Sequence, residues 1–67
     1  MIEIQLNRER LQLREGETLA GLLESLGRPP ASLATAVNGD FVPRDHRAQR
    51  TLRDGDIVLT FEPITGG

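Results

Sequence analysis

The sequence predicts an α+β domain: a mixed, four- to five-stranded sheet wrapped around one helix. Three observations carry this. Apolar and polar residues alternate at both ends of the chain, through Ile2, Ile4 and Leu6 and again from Ile57 to Phe61. That is the period of a half-buried strand. Leu19, Leu22, Leu23 and Leu26 fall at i, i+3, i+4 and i+7, one apolar stripe of a short helix. Asn38-Gly39 is a strong two-residue hairpin turn, because both central positions favour positive φ.

Each element follows in order. Ile2, Ile4 and Leu6 alternate with Glu3 and Gln5 in the first strand. Asn7-Arg8-Glu9-Arg10 is polar and turn-like, and Leu11 and Leu13, alternating with Gln12 and Arg14, form the hairpin partner. Gly16 breaks that strand. Thr18 is the expected helix N-cap, and Glu17 adds negative charge where the helix dipole favours it. The four leucines are core residues. Gly27 fits the left-handed position that ends a helix, and Pro29-Pro30 forbids continuation. Thr35-Ala36-Val37 leads into the Asn38-Gly39 turn, and Asp40-Phe41-Val42 returns, closed by Pro43. Residues 44–53 are polar and arginine-rich, with room for one helical turn. Asp54-Gly55-Asp56 is a further turn, Ile57 to Phe61 the last strand, and 62–67 a tail.

A helix with a single apolar stripe covers only one sheet face. The order ββαββ therefore describes a sheet grasping one helix, the ubiquitin-like β-grasp arrangement. Its first and last strands lie side by side in parallel, which the long intervening segment permits. Residues 1–61 are the β-grasp domain and 62–67 a flexible C-terminal Gly-Gly tail. In the last strand Ile57, Leu59 and Phe61 face one way, Val58 and Thr60 the other. Greasiness alone turns the first set inward. An apolar face left open by the helix instead marks a docking surface. The residues by themselves leave both readings standing.

Composition excludes several classes. Sixty-seven residues form one small domain, near the lower limit for a self-sufficient core. Cysteine is absent, so there is no disulfide and no cysteine-based metal site, which suits a cytoplasmic setting. No apolar run is long enough to span a membrane, and no basic region precedes an apolar block at the N-terminus. A net charge of -2 argues against nucleic acid as the main partner. All eight basic residues are arginine, which we attribute to compositional bias.

The sequence ends Thr65-Gly66-Gly67. Glycine lacks Cβ, so such a backbone enters channels too narrow for side chains. With glycine near 7% of residues, two final glycines arise by chance in roughly 0.5% of chains. A tail of this kind can be threaded into a partner's active site to have its terminal carboxyl activated. The alternative is a frayed, inert end.

Ala36-Val37-Asn38-Gly39, Phe41-Val42-Pro43-Arg44, Asp54-Gly55-Asp56-Ile57-Val58-Leu59 and Thr65-Gly66-Gly67 together resemble the sulfur carriers of thiamine biosynthesis, the ThiS family, over essentially the whole length. Arg47 departs from the pattern, since many relatives carry an aromatic residue there. The small subunit of molybdopterin synthase is similar but longer. The resemblance implies a protein cosubstrate with no catalytic residue, no metal and no bound cofactor. It implies that Gly67 is the site of sulfur attachment, and that Pro63, Ile64, Thr65 and Gly66 are threaded into the partner. Phe41 and Phe61, the two aromatics of the chain, match the family's docking positions, which puts Phe41, Leu59 and Phe61 on the docking face and Val58 inward. The implied partners are an E1-like, ThiF-like adenylyltransferase using ATP, a cysteine-derived persulfide donor and a ThiG-like thiazole synthase, with no nucleic acid and no membrane. The free protein is expected to be a monomer. That both phenylalanines are simply core stays open here.

The remaining constellations are weak. His46 is the single histidine and has no second ligand for a metal or catalytic site. Asp54 and Asp56 suit a turn for backbone reasons and are too few for calcium. Arg44, Arg47, Arg50 and Arg53 recur every third residue and read as a solvated loop face, with docking to an acidic partner as the alternative. Gly66 and Gly67 precede no helix, so they form no phosphate loop. Three further readings remain: a sulfur carrier of another pathway, of molybdopterin or tRNA-thiolation type, a ubiquitin-like protein modifier, and a plain β-grasp interaction module whose glycine tail is inert.

Overall fold

A computed structural model describes residues 1–27 and 33–61. The expected helix stop at Pro29-Pro30 and the whole 62–67 tail lie outside the described residues. The elements run β1 (Ile2–Leu6), β2 (Glu9–Leu13), α1 (Leu19–Ser25), β3 (Ala34–Val37), β4 (Asp40–Val42), a 3₁₀ helix (Arg44–Gln49) and β5 (Ile57–Phe61). They form one five-stranded sheet in the order β2-β1-β5-β3-β4. The two hairpins are antiparallel, and β1 and β5 pair in parallel at its centre. The β-grasp expectation holds.

Local chemistry explains the boundaries. Thr18 caps α1, its hydroxyl accepting from Gly21 N at 3.1 Å, and Glu17 Oε1 accepts from Thr18 N at 3.2 Å. Gly27 ends the helical stretch at φ 70. Asn38 and Gly39 take φ 53 and 85, the mirror-image turn that their identities predict. The first hairpin is tighter than expected. Only Asn7 and Arg8 make the turn, because Glu9 and Arg10 already pair with Leu6 and Gln5 in β2.

The core lies between α1 and the inner face of the sheet. Ile2, Ile4 and Leu6 meet Leu19, Leu22, Leu23, Val37, Val42 and Val58 there. Leu26 is a correction: it caps the helix and is 40% exposed, because α1 ends at Ser25, before its stripe completes a second turn. The arginine-rich stretch is the larger correction. It is no uniformly solvated face: Leu52 is buried in the core, and Arg47 is 3% exposed. Backbone bonds from Leu19 N to Arg50 O (2.9 Å) and Leu52 N to Glu17 O (2.8 Å) draw the segment against the start of α1.

Candidate functional site

The pairing register sets the facing of β5. Val58 lies between Leu6 of β1 and Val37 of β3, both buried, so it must share their inward face. Val58 is 0% exposed, whereas its neighbour Ile57 opens outward. Phe61 follows the same parity at 52% exposure, and Phe41 on β4 is 67% exposed. The alternative that both phenylalanines belong to the core is thereby overturned.

The outward residues form a patch. Ala36 of β3 pairs with Phe41 on one side and Leu59 on the other, and Ala34 pairs with Phe61. Directly opposite Cβ atoms on one sheet face stand about 5 Å apart. Ala36 is accordingly buried although it faces away from the core, and Leu59 is half-buried. Two small alanines thus form a floor between the larger side chains. Ala34, Ala36 and Ile57 complete the apolar area beside the three residues singled out from sequence. Counting outward from the Asn38-Gly39 turn would have found Ala36, which lies opposite Phe41. The β1–β2 half of the same face is polar, with Glu3, Gln5, Arg10 and Gln12 exposed. The apolar area is confined to β3, β4 and β5, and β5 ends at Phe61, the residue before 62–67 in sequence.

The other candidates border this patch without joining it. His46 is exposed on the 3₁₀ helix, lining a shallow groove with Phe41, Pro43 and Arg50. Asp54 Oδ1 accepts from Glu3 N at 2.8 Å, and Asp56 Oδ2 accepts from Arg53 N at 2.8 Å, so both carboxylates close the turn that precedes β5. Among the described residues no group of three or more His, Cys, Asp or Glu side chains could hold a metal. No helix among them is long and apolar enough to cross a membrane.

Arg47 was missed as a structural residue. Its Nε donates to Thr35 Oγ1 at 3.0 Å, its guanidinium also donates to Leu33 O, and the Thr35 hydroxyl donates onward to Val42 O at 3.0 Å. Burial lowers its pKa, and the nearby charge of Arg44 acts in the same direction. The guanidinium remains charged, so these carbonyl and hydroxyl acceptors are what make its burial tolerable. Hydrogen bonds, not ring packing, hold this side chain in the interior. Gly67 and Pro63, Ile64, Thr65 and Gly66 lie outside the described residues.

The sequence model of the ThiS family matches residues 2–67. The sulfur carrier protein ThiS of Escherichia coli (strain K12) is 39% identical over 66 residues, spanning 98% of this chain and 100% of that protein. The chain belongs to the ThiS family. Solved structures agree on the ThiS fold. The crystal structure of the thiamine biosynthesis protein ThiS from Geobacter metallireducens superposes with a TM-score of 0.85 at 22% identity, covering 98% of this chain and 100% of that one. SAMP1 from Haloferax volcanii matches with a TM-score of 0.65 at 20% identity, covering 98% of each.

Proposed function

We propose that this ThiS-family chain is a sulfur carrier of thiamine biosynthesis, a protein cosubstrate and not itself an enzyme. The observation that carries the reading is the 39% identity to a curated sulfur carrier across nearly the whole chain. The exposed Phe41 and Phe61, with the half-buried Leu59 between them, supply the docking surface for its partners. The polar half of the same face limits how far a partner's apolar seat can extend.

The chemistry rests on the carboxylate of Gly67. A carboxylate is ionised at neutral pH and is a poor electrophile. A ThiF-like, E1-like adenylyltransferase joins it to the α-phosphate of ATP, and pyrophosphate leaves. A cysteine-derived persulfide attacks the acyl carbon and expels AMP, giving an acyl disulfide. A thiol then cleaves the sulfur–sulfur bond, leaving a disulfide and a terminal thiocarboxylate. A ThiG-like thiazole synthase takes the sulfur from that group. The carrier contributes no acid, base or cofactor. Its part is the tail of residues 62–67, including Pro63, Ile64, Thr65, Gly66 and Gly67, which reaches about 20 Å when extended and has no Cβ at its last two positions. The described residues then act as a handle outside the ATP site, and the cytoplasm, where ATP is made available, is the fitting compartment.

The test is the intact mass after incubation with the adenylyltransferase, ATP and a persulfide source. Exchange of one terminal oxygen for sulfur is the expected result. Conjugates on other proteins' amines would instead indicate a ubiquitin-like modifier. A thiocarboxylate that serves molybdopterin synthesis or tRNA thiolation and not thiazole synthase would move the carrier to another pathway. An unchanged mass would overturn the reading.

A further inference from the structure

β1 leaves the sheet at Leu6, yet β5 runs on to Phe61. The pairs Gln5–Ile57 and Leu6–Val58 make Leu59 the next partner, opposite Asn7. In a regular parallel ladder Asn7 would donate its N–H to the carbonyl of Val58 and accept from the N–H of Thr60. The first bond is made, Asn7 N to Val58 O at 2.8 Å. The second is made by a different atom. Asn7 sits at φ 54, in the left-handed region, and its main-chain carbonyl has turned away to accept from Gln5 Nε2 at 3.0 Å. Asn7 Oδ1 stands in for that carbonyl and accepts from Thr60 N at 3.0 Å. The other half of the amide, Nδ2, donates to Thr60 Oγ1 at 3.0 Å. A main-chain N–H can only donate, so the amide orientation is set by its partner.

The side chain of Asn7 thus extends the parallel pairing after the backbone of β1 has left. On its other side β5 is held by β3, through Thr35–Thr60 and Ala34–Phe61. Among the described residues, Asn7 is what reaches past Val58 on the β1 side. The clamp grips the residue before Phe61, the last described residue ahead of the tail.

We propose that Asn7 is a positioning residue for the reacting carboxylate: its amide fixes Thr60 near the end of β5, from which the chain continues to Gly67, and so governs how well that carboxylate reaches the partner's ATP. This rests on the carrier reading above. Loss of the clamp leaves Thr60 and Phe61 held from one side only. If both detach, the pivot of the tail moves back by about 7 Å. Orientation errors of that size at a reacting group are expensive in rate. Docking through the sheet face and delivery of the carboxylate are separate tasks, so the clamp acts on the second.

The experiment compares the intact chain with Asn7→Gly, Asn7→Asp and Thr60→Val. Glycine keeps the left-handed backbone without strain and removes only the amide. Aspartate keeps an acceptor for Thr60 N–H and can take the hydroxyl proton on its other oxygen. With the adenylyltransferase and ATP, well below the melting temperature, Asn7→Gly is expected to lower kcat for ATP–pyrophosphate exchange about tenfold while KM stays within about twofold. Asn7→Asp should recover most of the loss, and Thr60→Val, which keeps the N–H bond, should fall between. Amide exchange at Thr60 should quicken in Asn7→Gly while the core amides of Val37 and Val58 keep their protection. Unchanged kcat in Asn7→Gly, an Asn7→Asp variant as slow as it, or unchanged exchange at Thr60 would each overturn the proposal and leave the carrier reading intact. No pyrophosphate exchange with the unmodified chain would remove the carrier reading, and this proposal with it.

Discussion

Asn38 and Asp56, 18 residues apart, are joined by a 2.9 Å hydrogen bond from Nδ2 to Oδ1. Asn38 Oδ1 also accepts from Ile57 N at 2.9 Å, and its own N–H donates to Ile57 O at 2.8 Å. The turn of the second hairpin is thereby bolted to the first residue of β5. The arrangement parallels that of Asn7 with Thr60 at the other end of the same strand, and both asparagines have positive φ. Asparagine suits the task because it tolerates the left-handed region and carries a donor and an acceptor on one short side chain.

Substitutions at this junction separate side chain from backbone. Asn38→Gly removes the amide alone and should cost about 1 kcal/mol. Asn38→Ala adds left-handed strain and should cost about 1 kcal/mol more. Asp56→Ala strips the acceptor from both Asn38 Nδ2 and Arg53 N, with an expected loss of about 2 kcal/mol. Urea denaturation checks all three; equal losses for Asn38→Gly and Asn38→Ala would show that the backbone at this turn is unstrained.

Arg47 should behave as a buried strut. Arg47→Ala leaves Thr35 Oγ1 and Leu33 O without their donor and opens a void, at an expected cost of about 3 kcal/mol. Arg47→Met fills the volume without the bonds and should cost less. In a domain of this size each kcal/mol lowers the melting temperature by about 4–8 °C, so calorimetry resolves the two. A change of less than about 1 kcal/mol in Arg47→Ala, the level of an ordinary surface site, would contradict the strut.

Phe61→Asp places a charge in the apolar patch at a half-open position. Stability should change by less than about 1 kcal/mol, as for other exposed sites. Affinity for the adenylyltransferase should fall at least tenfold, in keeping with loss of a central aromatic anchor worth about 2 kcal/mol. Titration calorimetry beside a melting curve gives both numbers. Affinity equal to that of the unaltered chain would remove Phe61 from the docking surface.

Deletion of Gly67 should abolish thiocarboxylate formation and leave the melting temperature unchanged, since the described core is built from residues between Ile2 and Val58. Intact mass after the activation reaction reports the first and circular dichroism the second. Continued activation of the shortened chain would place the chemistry elsewhere.

Local periodicity was enough to read β1, the leucine stripe of α1, the Asn38-Gly39 hairpin and the existence of β5, because each depends on neighbours within a few residues. Thr18 and Gly27 declared the helix ends by the same local logic. The motif resemblance pointed to Phe41, Leu59, Phe61 and the final glycines. Long-range pairing settled what those patterns left undecided. Which side of β5 faces the core depends on Leu6 and Val37, its partners across the sheet, and not on its own hydrophobicity, which favours the wrong face. Leu52 and Arg47 entered the interior because backbone bonds to Glu17 and Leu19 pulled their segment against α1. Asn7 looked like an ordinary turn residue until Thr60, 53 residues away, was brought beside its amide. Hydrophobic spacing records which elements form; the partner across a sheet, unknown to any single stretch of chain, determines the face each one shows.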